Sequence, residues 1–154
     1  MTQWRIALSA LFAALVSTTA SIAHAGEFNE QDGVAIKGYD PVAYFTMSKP
    51  VKGATEHNFV YKDSMFVFAS KENRDTFAAA PEKYAPQYAG YCAYGVAAAN
   101  AKADIDPNSF SVIDGKLYLN VNPAVQKRWS ADIPGFIKTA DEKWPEVSKL
   151  GPRR

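Results

Sequence analysis

The chain contains a single cysteine, Cys92, so no disulfide bond within the chain can help to hold its fold. Its stability therefore has to come from a hydrophobic core, and 129 residues from Gly26 onward are enough to form one. Aromatic residues suited to that core are spread over most of the chain: Phe59, Tyr61, Phe66, Phe68, Phe77, Tyr84, Tyr88, Phe110, Tyr118, Trp129, Phe136 and Trp144.

The first 25 residues predict a secretory signal peptide. One positive charge at Arg5 is followed by an apolar stretch over residues 6–16 and by a small-residue end at residues 23–25. The stretch is shorter than the roughly 20 residues that cross a bilayer. We therefore expect cleavage near Ala25, a periplasmic or secreted mature protein, and no stable insertion into a membrane.

The charge balance argues against nucleic acid as a partner. Removing the leader removes Arg5 and leaves 16 basic residues against 16 acidic ones. The basic residues are scattered, whereas nucleic-acid binding needs them concentrated on one surface. We expect the partner to be a metal ion or a small molecule, and any protein partner is unknown.

Two pairs of apolar segments predict β-hairpins. Residues 56–61 and 64–69 are rich in aromatic and β-branched residues and are separated by two polar residues. Residues 110–113 and 116–119 flank Asp114-Gly115, a strong hairpin signal because both turn positions tolerate a positive φ. With the helices described next, these hairpins predict an α+β fold in which a small antiparallel sheet of two hairpins is packed by short helices.

Helices are predicted where a capping residue precedes an apolar pattern. Asp40, Ser70 and Asn122 can each accept a hydrogen bond from the backbone of the turn that follows. A further helix is predicted from about residue 134 to residue 143, and residues 81–84 are predicted to form a turn.

The chain shows no repeat and no linker long enough to divide it after the leader. We expect a lead-in over residues 26–33, one domain over residues 34–145 that ends in a helical extension, and a loose tail over residues 146–154.

Several motifs resemble the YHS domain in their order along the chain. The stretch "DPVAYF" begins at Asp40, and "FVYKDSMFVFASKENRDTFAAAPEKYAPQY" follows over residues 59–88. The later stretch "YAGYCAYG", with "GKLYLN" beyond it, resembles exported proteins that extend this domain. The resemblance covers roughly residues 34–144, so the chain is identified as an exported protein similar to the YHS family.

The resemblance implies an association with metal, since YHS domains occur with copper-transporting ATPases and metal-handling proteins. They are thought to bind metal through cysteines that follow the Asp-Pro-Val motif and lie near the Phe-x-Ser motif. Here those positions hold Ala43, Ala69 and Asn73. The family's metal role therefore cannot be transferred to these three residues.

Cys92 and His57 are the soft ligands left after the leader is removed. A thiolate and an imidazole suit copper or zinc, and oxygen atoms of Tyr91, Tyr94 or Asp40 could complete the shell. Our first hypothesis is therefore a periplasmic protein that binds a transition metal, copper before zinc, with Cys92 as the principal donor. Tyr91 and Tyr94 are predicted to line the pocket for that metal or for another cofactor.

Other interpretations of Cys92 stay open. A free cysteine is often a small buried hydrophobe, and it can also pair with a second copy of the chain or act as a nucleophile beside a base such as His57. The sequence has no Cys-x-x-Cys, His-Glu-x-x-His, Gly-x-Ser-x-Gly or glycine-rich phosphate loop, so we expect no enzyme. The alternative hypothesis is a non-catalytic small-molecule or protein-interaction domain in which Cys92 is a buried core residue.

Overall fold

A computed structural model describes residues 26–153, so the predicted signal peptide lies outside the described residues. Among residues 26–153, no helix is long and apolar enough to cross a membrane. Within the same range the strands and α-helices follow in this order: β1 (Glu30–Gln31), β2 (Val34–Ala35), α1 (Pro41–Thr46), β3 (Ala54–Tyr61), β4 (Ser64–Phe68), α2 (Lys71–Ala79), α3 (Pro81–Tyr84), α4 (Ala93–Ala99), β5 (Lys102–Ala103), β6 (Asp106–Ile113), β7 (Lys116–Asn120), α5 (Pro123–Trp129), α6 (Ile133–Val147) and β8 (Pro152–Arg153).

The predicted α+β class is confirmed, but the two hairpins lie in separate sheets. The β3–β4 hairpin belongs to a four-stranded sheet of order β1-β2-β4-β3, in which β2 and β4 run parallel. The β6–β7 hairpin forms a two-stranded sheet of its own, and β5 pairs with β8 in parallel. Strands of two residues carry no hydrophobic period, so their pairing could not be predicted from the sequence pattern.

All three predicted capping residues cap a helix. The side chains of Asp40, Ser70 and Asn122 accept hydrogen bonds from backbone N–H groups two or three residues later, at 2.8, 3.1 and 2.9 Å respectively. These bonds satisfy amide groups that a helix leaves free in its first turn. The starts of α1, α2 and α5 are therefore fixed by local sequence.

The C-terminal part is more ordered than the sequence suggests. The last helix, α6, continues through Pro145 to Val147 instead of ending near residue 143. Pro145 cannot donate a backbone hydrogen bond, yet Ala140 and Val147 are buried against the core and hold the helix in place. The segment predicted to be a loose tail pairs through β8 with β5, and the predicted turn at residues 81–84 is the short helix α3.

The core has two adjoining parts. In the first, the ring of Phe77 on α2 lies 4.9 to 6.1 Å from four aromatic rings of β3 and β4. In the second, Trp129 is fully buried beside Tyr118 and Phe136. Both residues were predicted to face inward, and burial of such large rings is the main stabilising contribution in a chain without a disulfide.

Two turns with a left-handed backbone lie side by side, at residues 36–38 and 88–90. A Cβ atom on Gly90 would come within 2.7 Å of a methyl group of Ile36, so only glycine allows the two turns to pack this closely. Asn29 joins them, because its backbone N–H donates to the carbonyl of Ala89 and its own carbonyl accepts from Ile36 N–H, both at 2.8 Å. The N-terminal segment is thereby fixed beside the start of α4.

Candidate functional site

Cys92 lies inside the core at the start of α4. Its side chain is 1% exposed. The sulfur accepts a hydrogen bond from Gly95 N–H at 3.4 Å, and the S–H group donates to Asn120 Oδ1 at 3.6 Å. Burial raises the pKa of the Cys92 thiol, although backbone hydrogen bonds partly oppose that rise. Since the thiolate is the form that binds metal or attacks a substrate, this environment disfavours both roles.

The thiol is one end of a buried hydrogen-bonded chain. Asn120, fully buried on β7, also accepts from the backbone N–H of Tyr94 at 3.2 Å and donates to Gln126 Oε1 at 2.8 Å. Gln126 in turn donates to Ser111 Oγ at 2.7 Å. The chain ties α4, β7, α5 and β6 together, so Cys92 contributes to the architecture.

His57, the other predicted metal ligand, lies half-buried on β3. That strand packs mainly against β4 and α2, whereas α4, which Cys92 caps, packs against α5, α6, β5 and β7. In the part of the chain that the structure describes, no three His, Cys, Asp or Glu residues gather in a way that could hold a metal ion. Within residues 26–153, Cys92 and His57 therefore do not belong to a group of three or more such side chains that could hold a metal ion.

The positions that the family resemblance associates with metal meet around a carboxylate. Asp40 is fully buried. Its Oδ1 atom accepts from the backbone N–H of Val42 and Ala43 at 2.8 and 3.3 Å. Its Oδ2 atom accepts from Ala69 N–H at 2.9 Å and from the Asn73 side chain at 2.7 Å. Four donors occupy the carboxylate, and two alanines and an asparagine offer no soft ligand, so these residues do not fit a thiolate metal site.

The two tyrosines predicted to line a pocket have different surroundings. Tyr94 packs edge-on against Phe136, with ring centroids 5.1 Å apart, between the two parts of the core. Tyr91 is 5% exposed and lines a partly enclosed cleft of about 470 Å³. The cleft is lined by four separate segments of the chain: Asn29, Glu30, Gln31, Asp32, Tyr91, Lys102, Asp104, Pro152 and Arg153.

Lys102 is fixed above the ring of Tyr91. Its ammonium nitrogen lies 4.8 Å from the ring centroid and donates to the backbone carbonyl of Ser148 at 3.3 Å. Burial lowers the pKa of Lys102. Burial, with the nearby carboxylates of Glu30 and Asp104, raises the pKa of Tyr91, so this phenol is neutral at physiological pH. The cleft therefore offers a neutral aromatic surface beside an anchored amine.

Asp104 lines the cleft and has partners within the protein. Its carboxylate accepts from Lys37 Nζ at 2.7 Å, from the Asn29 side chain at 3.2 Å and from Ile105 N–H at 2.8 Å. Burial alone would raise the pKa of Asp104, but these hydrogen bonds outweigh it and the pKa is lowered. Asn29 also donates to the carbonyl of Gly90 at 3.2 Å, so the left-handed turns and the cleft share one hydrogen-bonded support.

Only Tyr91 among the residues that line the cleft was singled out from the sequence. Neither Lys102 nor Asp104 was among the predicted site residues. One signal was present, because Gly90, the residue before Tyr91, permits the backbone to come close to a bound molecule.

Comparison with known protein families matches residues 42–88 to the YHS domain. No curated protein and no solved structure shows significant similarity to the chain. The match begins two residues after Asp40 and ends at Tyr88, so it contains α1 except its first residue, together with β3, β4, α2 and α3. Every residue that lines the cleft beside Tyr91 lies outside the match.

Proposed function

The chain carries a YHS domain at residues 42–88, and from that premise we propose that it is an exported, non-catalytic protein that binds a small molecule in the cleft beside Tyr91. The YHS domain serves as the folded support, and the segments on either side of it build the binding site. One observation carries the proposal: the cleft holds an anchored Lys102 ammonium that makes no ion pair among residues 26–153.

The cleft has the properties of a small-molecule site. Its volume of about 470 Å³ falls within the usual range for such sites, roughly 300 to 1,000 Å³. Tyr91 supplies an aromatic surface, while Lys102 and Arg153 supply charged groups that can orient a ligand. Because Asn29 and Asp104 hold the surrounding turns, much of the site is formed before a ligand arrives.

The proposal is tested by identifying what the protein carries. The mature chain, from Gly26, is purified from the periplasm without an affinity tag, and molecules released on denaturation are identified by mass spectrometry. We expect a near-stoichiometric small molecule that is lost in Lys102→Gln and retained in Lys71→Gln, a control on the exposed surface of α2. A protein that carries no ligand and takes none up from a periplasmic extract would contradict the proposal.

The second candidate is the handling of a transition metal, copper first, through Cys92. The YHS domain supports it, because such domains are often linked to metal handling. Binding at this thiol requires the start of α4 to open and release the contacts with Gly95 and Asn120. Copper or zinc that is near-stoichiometric in the purified protein and absent from Cys92→Ala would support it. Metal-free protein that also takes up no Cu(I) would exclude it.

Export is tested separately. We expect the periplasmic or secreted fraction to contain a protein whose N-terminus lies near Gly26. Protein that keeps residues 1–25 and stays in the cytoplasm would contradict this part of the proposal.

A further inference from the structure

Charges of opposite sign line the cleft from different segments. Glu30 and Asp32 come from β1 and the turn after it, whereas Lys102 and Arg153 come from the paired strands β5 and β8. Within residues 26–153, none of these four side chains forms an ion pair with another residue. Two acidic and two basic residues thus line one cavity, and no ion pair joins them.

Asp104, the other charged residue that lines the cleft, is already paired within the protein. Asp104 is paired with Lys37 at 2.7 Å and receives two further hydrogen bonds. It therefore competes little for the ammonium group of Lys102. Lys102 itself is held by the Tyr91 ring and by the carbonyl of Ser148, which leaves donor capacity for a ligand.

A ligand that complements this arrangement carries both charges. A carboxylate beside Lys102 and Arg153 would receive charge-assisted hydrogen bonds, which are about twice as strong as neutral ones. An ammonium group beside Glu30 and Asp32 would be favoured in the same way. A ligand with only one charge would leave the other pair of side chains without a partner.

From this arrangement we propose that the cleft binds a small zwitterion, an α-amino acid or dipeptide with both ends free. The inference rests on the proposed function, since it names the class of ligand for the same cleft. The free carboxylate lies toward Lys102 and Arg153, and the free ammonium group lies toward Glu30 and Asp32. A cavity of about 470 Å³ has room for either length of ligand.

The test compares ligands that differ only at their ends. Isothermal titration calorimetry on the mature chain uses L-alanyl-L-alanine, its N-acetyl form, its C-terminal amide, and L-alanine. We expect the free dipeptide to bind at least about tenfold more tightly than either blocked form, since each blocked form loses one charged partner. The ratio between L-alanine and the dipeptide then shows which length the cleft prefers.

Two substitutions test which side of the cleft binds each end of the ligand. Lys102→Gln is expected to weaken the free dipeptide about tenfold and to leave binding of the amide unchanged, because the amide has no carboxylate. Glu30→Gln is expected to weaken the free dipeptide and to leave the N-acetyl form unchanged. Lys71→Gln and Glu72→Gln, the matched controls on the exposed surface of α2, should change nothing.

Equal affinities for free and blocked forms, or no binding of any of them, would overturn the zwitterion inference. The proposed function is judged independently by the molecule that copurifies. If that molecule depends on Lys102 while these peptides do not bind, the ligand class is wrong and the binding site is right. If neither the copurified molecule nor the peptides depend on Lys102, both proposals fail.

Discussion

The buried polar centres at Asp40 and Cys92 differ from the cleft beside Tyr91 in whether their polar groups already have partners. Asp40 accepts four hydrogen bonds within the protein, and Cys92 both donates and accepts one. In the cleft, Lys102 and Glu30 make no ion pair within residues 26–153. The polar groups of the two centres hold the fold together, whereas Lys102 and Glu30 in the cleft remain accessible to a ligand.

The pKa values of Cys92 and Lys102 show that access, and not the charge state, separates the two groups. Burial raises the pKa of the Cys92 thiol and lowers the pKa of Lys102, so both shifts favour the neutral form. Cys92 is enclosed by the core, while Lys102 opens onto a cavity. Judged by the reactivity of its side chain alone, Cys92 is the more obvious candidate for binding a ligand. Lys102 is the better candidate because a ligand can reach it.

The largest expected effect is the loss of stability on replacing Asp40. Asp40→Ala removes the cap of α1 and leaves Ala69 N–H and the Asn73 side chain without an acceptor, at a cost of about 4 kcal/mol in the free energy of unfolding. Urea denaturation measures it. Glu30→Gln in the cleft should stay within about 0.5 kcal/mol of the wild type. A similar loss of unfolding free energy in both variants would mean that the buried polar centre and the cleft contribute equally to stability, contrary to this account.

The next effect concerns access to Cys92. The thiol should react with a disulfide reagent at least about a hundredfold more slowly than an exposed cysteine, because reaction requires the core to open. The matched control is Ser130→Cys in a Cys92→Ala background, since Ser130 is exposed at the end of α5. Both cysteines should react at similar rates in denaturant. Comparable rates in the native proteins would mean that Cys92 is accessible.

A smaller effect is expected in alkaline solution. The pKa of Cys92 is raised on folding, so the unfolded chain ionises first as the pH rises above the ordinary thiol value of about 8.5. Wild-type stability relative to Cys92→Ala should be constant below that pH and should fall as the pH rises through the folded-state pKa, by up to about 1.4 kcal/mol per pH unit between the two values. Chemical denaturation at pH 7 and pH 9.5 measures this difference. A constant difference would indicate a thiol whose pKa is not raised.

Local signals in the sequence correctly predicted three helix starts and the turn of the second hairpin. The caps Asp40, Ser70 and Asn122 and the turn at Asp114-Gly115 act within a few residues, so a single stretch of sequence is enough to identify them. The convergence of residues 43, 69 and 73 on Asp40 could not be predicted from such a stretch, because it depends on how α1, β4 and α2 pack.

The cleft could not be predicted for the same physical reason. Its walls come from residues 29–32, 91, 102, 104 and 152–153, and the pairing of β5 with β8 that joins two of these segments involves only two residues on each strand. The left-handed backbone at Ile36 and Tyr88 adds to the difficulty, since such residues rarely adopt it without tertiary support. Tyr91 was identified as a pocket residue, but its surroundings were not.

The most direct test of this account is a map of backbone amide chemical shifts in ¹⁵N-labelled mature protein, recorded as L-alanyl-L-alanine and then Cu(I) are added. We predict that the dipeptide shifts the signals of Glu30, Lys102 and Asp104, and that Cu(I) leaves those of Cys92 and Gly95 unchanged. Shifts at Cys92 and Gly95 on addition of Cu(I), with no response of the cleft to the dipeptide, would contradict the account and favour a metal centre at the thiol.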